Sequence, residues 1–480
     1  MSYGGITVAG NKYDFNIESL EKRKSEIIRA SIGLDYDDFE LDGIGFDYKK
    51  LMDSAGYSFE DVQRIQQENM IGNTPLTELK NLTAYARKFS EEGYGARILL
   101  KDEAANLSGS FKARRAAMSV HKAKEMGYQG VIAATSGNYG AAVAAMAAKY
   151  GLECIIVQEC FDSNGKAQPE ILEKARACEA YGAEVIQLSV GPELFYVFLH
   201  LLDITKFFNA SLYSPYGILG IETLGYEIAK ETKERYGKFP ELVIATNAGG
   251  GNLTGTARGL HRAGATNTQV YAASVNLKGL HMANDEHFNR KSFTTGHTGF
   301  GIPFAINPDR SDVPRSAARP LRYANKYFVV NQGSVFFITE ALSALEGMER
   351  GPAGNTSLAV AFRMAQKMRR DEIIVVQETE YTGAGKHHNA QLSFAKENGI
   401  ELKFGDPLEE VPGETIVFPK SGEDLLLKEI PLRHIQKTYL KRYRDVDLKP
   451  MDYLFLEQEM KVDEDDIRVM LEEVRNERKK

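Results

Sequence analysis

What most narrows the choice of fold is a recurring unit: a short apolar run, a loop of small polar residues, then a helical pattern. Ile98-Leu99-Leu100 leads through Lys101-Asp102-Glu103 to Ser108-Gly109-Ser110-Phe111-Lys112. Ala113, Ala116, Ala117 and Val120 then recur at i, i+3, i+4 and i+7, the spacing of one helix face, and Gly127 stops the pattern. Val131-Ile132-Ala133-Ala134 leads to Thr135-Ser136-Gly137-Asn138-Tyr139-Gly140 and an alanine-rich helical run over 141–150, closed by Gly151. Leu242-Val243-Ile244-Ala245 leads to Asn247-Ala248-Gly249-Gly250-Gly251-Asn252 and a helix beginning near Leu253. Further strand-like runs at 154–157, 184–188, 270–273, 373–376 and 402–404, with a helix near 169–181, continue the alternation. Short apolar strands between helices imply parallel sheets with helices on both faces, an α/β fold.

The three loops carry the chemistry. Glycines let the backbone approach an anion, and N–H groups at a helix start donate to a phosphate. A lysine at a strand-to-helix junction can be shielded from water and oriented, which an amine needs to form and exchange a Schiff base. Alone, such a lysine reads as a solvated charge and one glycine run as a tight turn. A lysine, an asparagine loop and a glycine loop in that order are far more specific.

Composition removes other classes. A chain of 480 residues is expected to hold two or more lobes. A net charge of -7 gives no sign of a nucleic-acid surface. Cys154, Cys160 and Cys178 form no CxxC pair and suit a reducing compartment. The first 14 residues lack a signal-peptide pattern, and no apolar run is long enough to span a bilayer, so the cytoplasm is expected and no membrane partner. No HExxH or cysteine cluster appears, and adjacent His387 and His388 diverge, so no metal site is predicted.

Ser110-Phe111-Lys112, Ser136-Gly137-Asn138 and Gly249-Gly250-Gly251-Asn252, with the entry motif Gly72-Asn73-Thr74-Pro75-Leu76, resemble the tryptophan-synthase-β family of pyridoxal-phosphate enzymes, fold type II, over about residues 70–405. The resemblance implies pyridoxal 5'-phosphate held by Lys112, which also carries protons. It implies that Asn138 bonds the cofactor's ring hydroxyl. The loop of Ser136, Gly137, Asn138 and Tyr139 would receive the substrate carboxylate, and Gly249, Gly250, Gly251 and Asn252 the phosphate. Thr382, in Tyr381-Thr382-Gly383-Ala384-Gly385 after a late strand, would face the pyridine nitrogen, with Glu378 and Glu380 as rivals. Stretches 108–115, 191–196, 309–320 and 378–387 resemble a narrower subgroup, the catalytic β subunits of two-component thiolases. That subgroup cleaves an amino-keto acid with coenzyme A in ornithine degradation, which implies a small α subunit, an amino-acid substrate, coenzyme A and an oligomer. The broader family motifs fit a threonine-synthase-like elimination or replacement equally well.

By family analogy, 1–70 is an N-terminal extension, 71–118 and 225–430 form the large lobe, 119–224 the small lobe, and 431–480 a helical tail. The cofactor is then expected in the cleft between lobes, near the carboxyl ends of strands. Ile17, Leu20, Ile27 and Ile28 predict a docked amphipathic helix, and polar segments over 35–47 read as connecting loops. In the tail, Ile467, Met470, Leu471 and Val474 share one helical face, docked on the chain itself or on another subunit. The glycine- and threonine-rich stretch 291–303 reads as a functional or a plain loop. Arg310, Arg315, Arg319 and Arg322 read either as local ion pairs or as contacts for coenzyme A phosphates. Cys160 follows a strand, where a thiol could reach the cleft or simply be buried.

Overall fold

The computed structural model describes residues 3–8, 11–135, 137–161, 165–167, 169–189, 193–276, 312–381 and 387–477, the side chains of 3–15 and 387–389 excepted. The chain opens on an antiparallel pair, β1 (Tyr3–Val8) and β2 (Asn11–Phe15). Asn16 caps α1 (Ile17–Ile32) by accepting from the Ser19 N–H, and Leu20, Ile27, Ile28 and Ile32 are buried, so the amphipathic helix docks. The 35–47 stretch is not a plain connector. Tyr36, Phe39, Phe46 and Tyr48 are buried together, with neighbouring ring centroids 4.8 to 6.4 Å apart. Frequent aspartates hid that cluster, because the aromatics follow no helix or strand period. α2 (Tyr48–Asp53) and α3 (Phe59–Glu68) follow, the latter with a Ser58/Asp61 capping box.

β3 (Leu76–Glu78), α4 (Lys80–Arg87), β4 (Arg97–Asp102) and α5 (Lys112–Glu125) come next. A four-stranded parallel sheet is then built from β5 (Gly130–Thr135), β6 (Glu153–Phe161), β7 (Glu184–Ser189) and β8 (Phe208–Asn209), in the order β7-β6-β5-β8. Its helices are α6 (Asn138–Tyr150), α7 (Pro169–Ala180) and α8 (Glu193–Thr205). The long α9 (Pro215–Tyr236) leads back to β9 (Leu242–Thr246), α10 (Gly251–Arg262), β10 (Gln269–Val275) and β11 (Lys326–Val330). α11 (Gln332–Glu346), α12 (Pro352–Ala365), β12 (Ile373–Glu378) and α13 (His387–Glu397) follow. β13 (Glu401–Phe404) and β14 (Thr415–Phe418) pair with each other, apart from both sheets.

The larger sheet has the order β15-β11-β10-β9-β12-β4-β3, where β15 is Leu427–Ile430. Its interior pairs are parallel, while β15 and β3 join the edges antiparallel. Alternate residues face two cores: Val243, Ala245, Ile373 and Val375 one, Leu242, Ile244, Ile374 and Val376 the other. Burial on both faces is why these strands read as unbroken apolar runs.

The tail comprises α14 (Leu432–Leu440), α15 (Pro450–Met460) and α16 (Glu464–Asn476). Ile467, Met470, Leu471 and Val474 are buried against the chain itself, and α16 packs on α14 and α15. Among the described residues, no helix is long and apolar enough to cross a membrane.

Candidate active site

Lys112 opens α5, and the loop before it is locked by backbone pairing. The Phe111 N–H donates to the Thr379 carbonyl at 3.0 Å, the Tyr381 N–H donates to the Gly109 carbonyl at 2.8 Å, and Ser110 bridges Glu380. The lysine loop is thereby joined to the segment after β12. Ser108 (φ 62°) and Gly109 (φ 70°) take left-handed conformations to make the turn, and the Tyr381 carbonyl lies 3.2 Å from where a Gly109 side chain would start. Lys112 is half-buried, its Nζ 4.5 Å from the centroid of the Phe111 ring.

The asparagine loop follows β5. Thr135 Oγ1 accepts from the Gly137 N–H at 3.0 Å and from the Gly140 N–H at 3.2 Å, which fixes the turn into α6. Asn138 is the first residue of α6, and its Oδ1 is buried without a hydrogen bond among the described residues. Tyr139 enters the loop through its main chain only. Its phenol is buried and donates to the Ala210 carbonyl at 2.8 Å.

The glycine loop follows β9, and each of its three glycines abuts a specific group. A side chain at Gly249 would strike the Tyr213 hydroxyl, one at Gly250 the Pro320 ring, and one at Gly251 the Arg115 guanidinium. Gly250 is also left-handed (φ 79°) and caps α10, whose first N–H groups point away from the helix toward the loop. Pro320 is held in place from the tail. Arg319 and Arg322 both pair with buried Glu459 of α15, and the Arg319 N–H donates to Thr254 Oγ1 at 2.9 Å. Arg315 pairs with Glu40 at 3.2 Å. All three arginines are thus in ion pairs, with carboxylates distant in sequence rather than with near neighbours. Arg310, the 291–303 stretch, Ser136 and Thr382 lie outside the described residues.

Beneath Lys112 lies a charge network that the sequence reading missed. Arg114, fully buried, bonds Glu103 through Nε (2.7 Å) and Nη2 (2.8 Å), and Glu227 through Nη1 (2.7 Å) and Nη2 (2.8 Å). Lys101 Nζ meets Glu227 at 3.0 Å. The entry motif closes the network: Thr74 Oγ1 donates to Glu103 at 2.6 Å, the Asn73 N–H to Glu227 at 3.0 Å, and the Gly72 N–H to Asn106 at 2.9 Å. Burial works to raise Glu227, but Arg114, with Lys101 behind it, outweighs burial and holds the carboxylate at about 2. The signal was present in Lys101-Asp102-Glu103, three buried charges directly after the apolar run Ile98-Leu99-Leu100 of β4.

Glu378 ends β12 opposite Asp102 of β4. It is 0 % exposed, and neither carboxyl oxygen makes a hydrogen bond among the described residues. A side chain on Gly354, in the first turn of α12, would strike it. Burial, then the charges of Glu380 and Asp102, push its pKa well above 4.5. A folded-state pKa above the unfolded one gives stability that is full below about 4.5 and is lost as pH rises through the folded value. Glu378→Gln should therefore lose less stability than the parent as pH rises from about 5 to about 9. Thermal unfolding of both proteins across that range checks it, and parallel curves would show that Glu378 does not titrate there.

Orphan polar atoms gather where strands end: Ser108 Oγ and Ser110 Oγ after β4, Asn138 Oδ1 after β5, Asn252 Oδ1 after β9 and Glu378 at the end of β12. Buried polar atoms demand partners. Together with the three-glycine cradle and the lysine, this donor set fits a phosphorylated pyridine aldehyde. The three cysteines offer no nucleophile here. All are buried, and burial, then the charges of Glu179 and Glu159, push Cys160 up to about 12.

Comparison with known proteins agrees with this donor set. Residues 68–380 match the family described as pyridoxal-phosphate dependent enzyme. A 2-amino-4-ketopentanoate thiolase beta subunit from Acetoanaerobium sticklandii is 59% identical over 466 residues, covering 96% of this chain and 99% of that protein. A threonine synthase from Halalkalibacterium halodurans is 34% identical over 190 residues, 38% of this chain and 47% of its own. In fold, the chain is similar to the serine racemase of Dictyostelium discoideum (TM-score 0.51, 16% identity, 68% of this chain and 99% of that one). The chain belongs to the pyridoxal-phosphate-dependent enzymes of fold type II, in the group that holds the 2-amino-4-ketopentanoate thiolase beta subunits.

Proposed function

We propose that this chain is the catalytic β subunit of a thiolase that cleaves 2-amino-4-oxopentanoate with coenzyme A, giving acetyl-CoA and alanine in ornithine degradation. The observation that carries the reading is the end-to-end 59% identity to the Acetoanaerobium sticklandii protein of that name. The words beta subunit in that name support a small α subunit as partner. An oligomer working in the cytoplasm completes the proposal, as does a cofactor cleft between a small lobe, 119–224, and a large lobe, 71–118 with 225–430.

Pyridoxal phosphate, when bound, supplies an electron sink for charge developing at the substrate α-carbon. Lys112 would hold the cofactor and then move the proton at that carbon, from a position fixed by the 379–381 pairing. Asn138 would orient the ring hydroxyl, and main-chain N–H groups of the 136–139 loop would bind the substrate carboxylate. Gly249, Gly250, Gly251 and Asn252 would hold the phosphate, and Thr382 would face the ring nitrogen without enforcing its protonation. The C3–C4 bond then breaks as a thiolate adds to the C4 ketone and the resulting oxyanion collapses. Protonation at C3 and return of a proton to the α-carbon complete alanine, and the acetyl group leaves on sulfur. The buried, raised thiols of this chain support coenzyme A itself as the attacking thiol.

Labelled 2-amino-4-oxopentanoate, incubated with the chain and its companion subunit, tests the proposal. Alanine and acetyl-CoA should appear only when coenzyme A is added. A threonine synthase is 34% identical to this chain over 190 residues, so release of ammonia and a keto acid without acetyl thioester would replace the thiolase reading with elimination.

A further inference from the structure

The segment 312–322 lies against the glycine loop as a strap. Its first half is anchored to the chain after β8. Asn209 Nδ2 donates to the Asp312 carbonyl at 2.8 Å, Ser211 Oγ to Asp312 Oδ2 at 2.7 Å, and the Ala317 N–H to the Tyr213 carbonyl at 2.9 Å. Its second half meets the loop at Gly250 in two ways. The Pro320 ring fills the space a Gly250 side chain would need. The Arg319 N–H donates to Thr254 Oγ1 at 2.9 Å, and that hydroxyl donates onward to the Gly250 carbonyl at 2.7 Å. Residues 319 and 320 thus fix the left-handed glycine at the head of α10.

The far side of the strap is held by the ends of the chain. Arg319 and Arg322 share one carboxylate, Glu459 of α15, which is 2 % exposed. The Arg319 guanidinium also lies 4.1 Å from the centroid of the Tyr48 ring and donates to the Tyr439 hydroxyl at 3.2 Å. Tyr48, Tyr439 and Glu459 all fall outside 68–380, the stretch matched to the family. The support of the glycine loop therefore comes from parts of the chain that the family match does not contain.

Removing the shared carboxylate leaves two like charges close together where water screens them poorly. They can relax by swinging outward, which carries Pro320 off Gly250. A glycine freed of that contact has more backbone freedom than any other residue, so the N–H groups at the start of α10 lose their common aim. A loop competent for only a fraction of the time binds its ligand more weakly by that fraction.

Resting on the assignment of the glycine loop to the cofactor phosphate, we infer that Glu459 is a positioning residue for that phosphate. Acting through Arg319, Arg322 and Pro320, it keeps the loop in its binding shape, and the helical tail thereby sets the affinity for the phosphorylated cofactor.

The test uses the full chain stripped of cofactor, with pyridoxal phosphate and pyridoxal as probes followed by absorbance. Glu459→Gln should bind pyridoxal phosphate about 10-fold more weakly, as a competent fraction cut to about a tenth predicts. It should bind pyridoxal as the parent does, because that probe carries no phosphate for the loop to hold. Glu459→Asp keeps the charge on a shorter arm and should fall between. It also serves as the measurement if the glutamine variant does not fold. Equal weakening toward both probes would make the tail a packing element only, and unchanged affinity for both would mean that the loop keeps its shape without Glu459. Either result overturns the inference. Asn252→Asp separates that failure from failure of the glycine-loop reading. It sets a carboxylate of nearly the same shape in the first turn of α10, so it should weaken pyridoxal phosphate alone. If it does and the Glu459 variants do not, only the role of Glu459 falls. If it does not discriminate between the probes, the phosphate lies elsewhere and the inference falls with that reading.

Discussion

Replacing Lys112 by alanine is expected to remove the yellow absorption of the purified protein and to abolish turnover. Loss of the proton-transfer role alone is worth about 10²- to 10⁴-fold, and loss of the covalent hold on the cofactor adds to it. The fold should survive. Lys112 is half-buried at the start of α5, makes no part of either apolar core, and alanine is the better helix former there. The loop before it is held by main-chain bonds from 109, 111 and 381 that no side-chain change at 112 removes. Thermal unfolding close to that of the parent, together with a colourless protein, is the expected pair of results. In the parent, borohydride reduction should fix the cofactor to Lys112 and bleach the band. A pyridoxyl group mapped to another lysine, or a variant that keeps its colour, would remove Lys112 from its assigned place.

The backbone around this lysine could be read from sequence because it depends on local signals. Apolar runs at 98–100, 131–134 and 242–245, each followed by glycine or asparagine and then a helical period, became β4, β5 and β9 with the helices after them. What could not be read depends on pairing at a distance. Arg114 meets Glu227 across 113 residues, and nothing local to either marks the partner. Glu378 looks like the polar end of a strand, and only the fold shows that it is fully buried, beside Glu380 and in register with Asp102, which together raise its pKa. The antiparallel edge strand β15 is short and half-exposed, without the apolar run that identified the interior strands. Arg319 and Arg322 offered a sequence reader an anion site. Their partner Glu459 sits 140 and 137 residues further on, in a tail whose family resemblance had faded. Tyr139 shows the opposite limit: its loop was legible, but the inward turn of its phenol toward Ala210 depends on a neighbouring segment.

The same long-range network sets the largest stability effect expected in this chain. Arg114→Met keeps much of the side-chain volume and helix propensity but removes the group that bonds both Glu103 and Glu227. Glu103 is 0 % exposed and cannot recover its solvation. Thr74 and Asn106 would still donate to it, and Lys101 would still face Glu227, yet neither replaces a guanidinium shared between two carboxylates. Breaking a buried pair from one side typically costs about 3–5 kcal/mol, because the remaining charge stays buried. The loss should shrink in acid. Glu227 is held at about 2 in the folded parent against 4.5 as a free group, so the parent's advantage is full above the free value and fades as pH falls toward the folded one. The damage should also reach the active site, since Asn73, Thr74 and the first turn of α5 all hang on these carboxylates. Denaturant unfolding of parent and variant at about pH 7 and about pH 4 measures both effects. A loss under about 1 kcal/mol at neutral pH, or one that does not shrink in acid, would mean that the network is not what anchors the helix bearing Lys112.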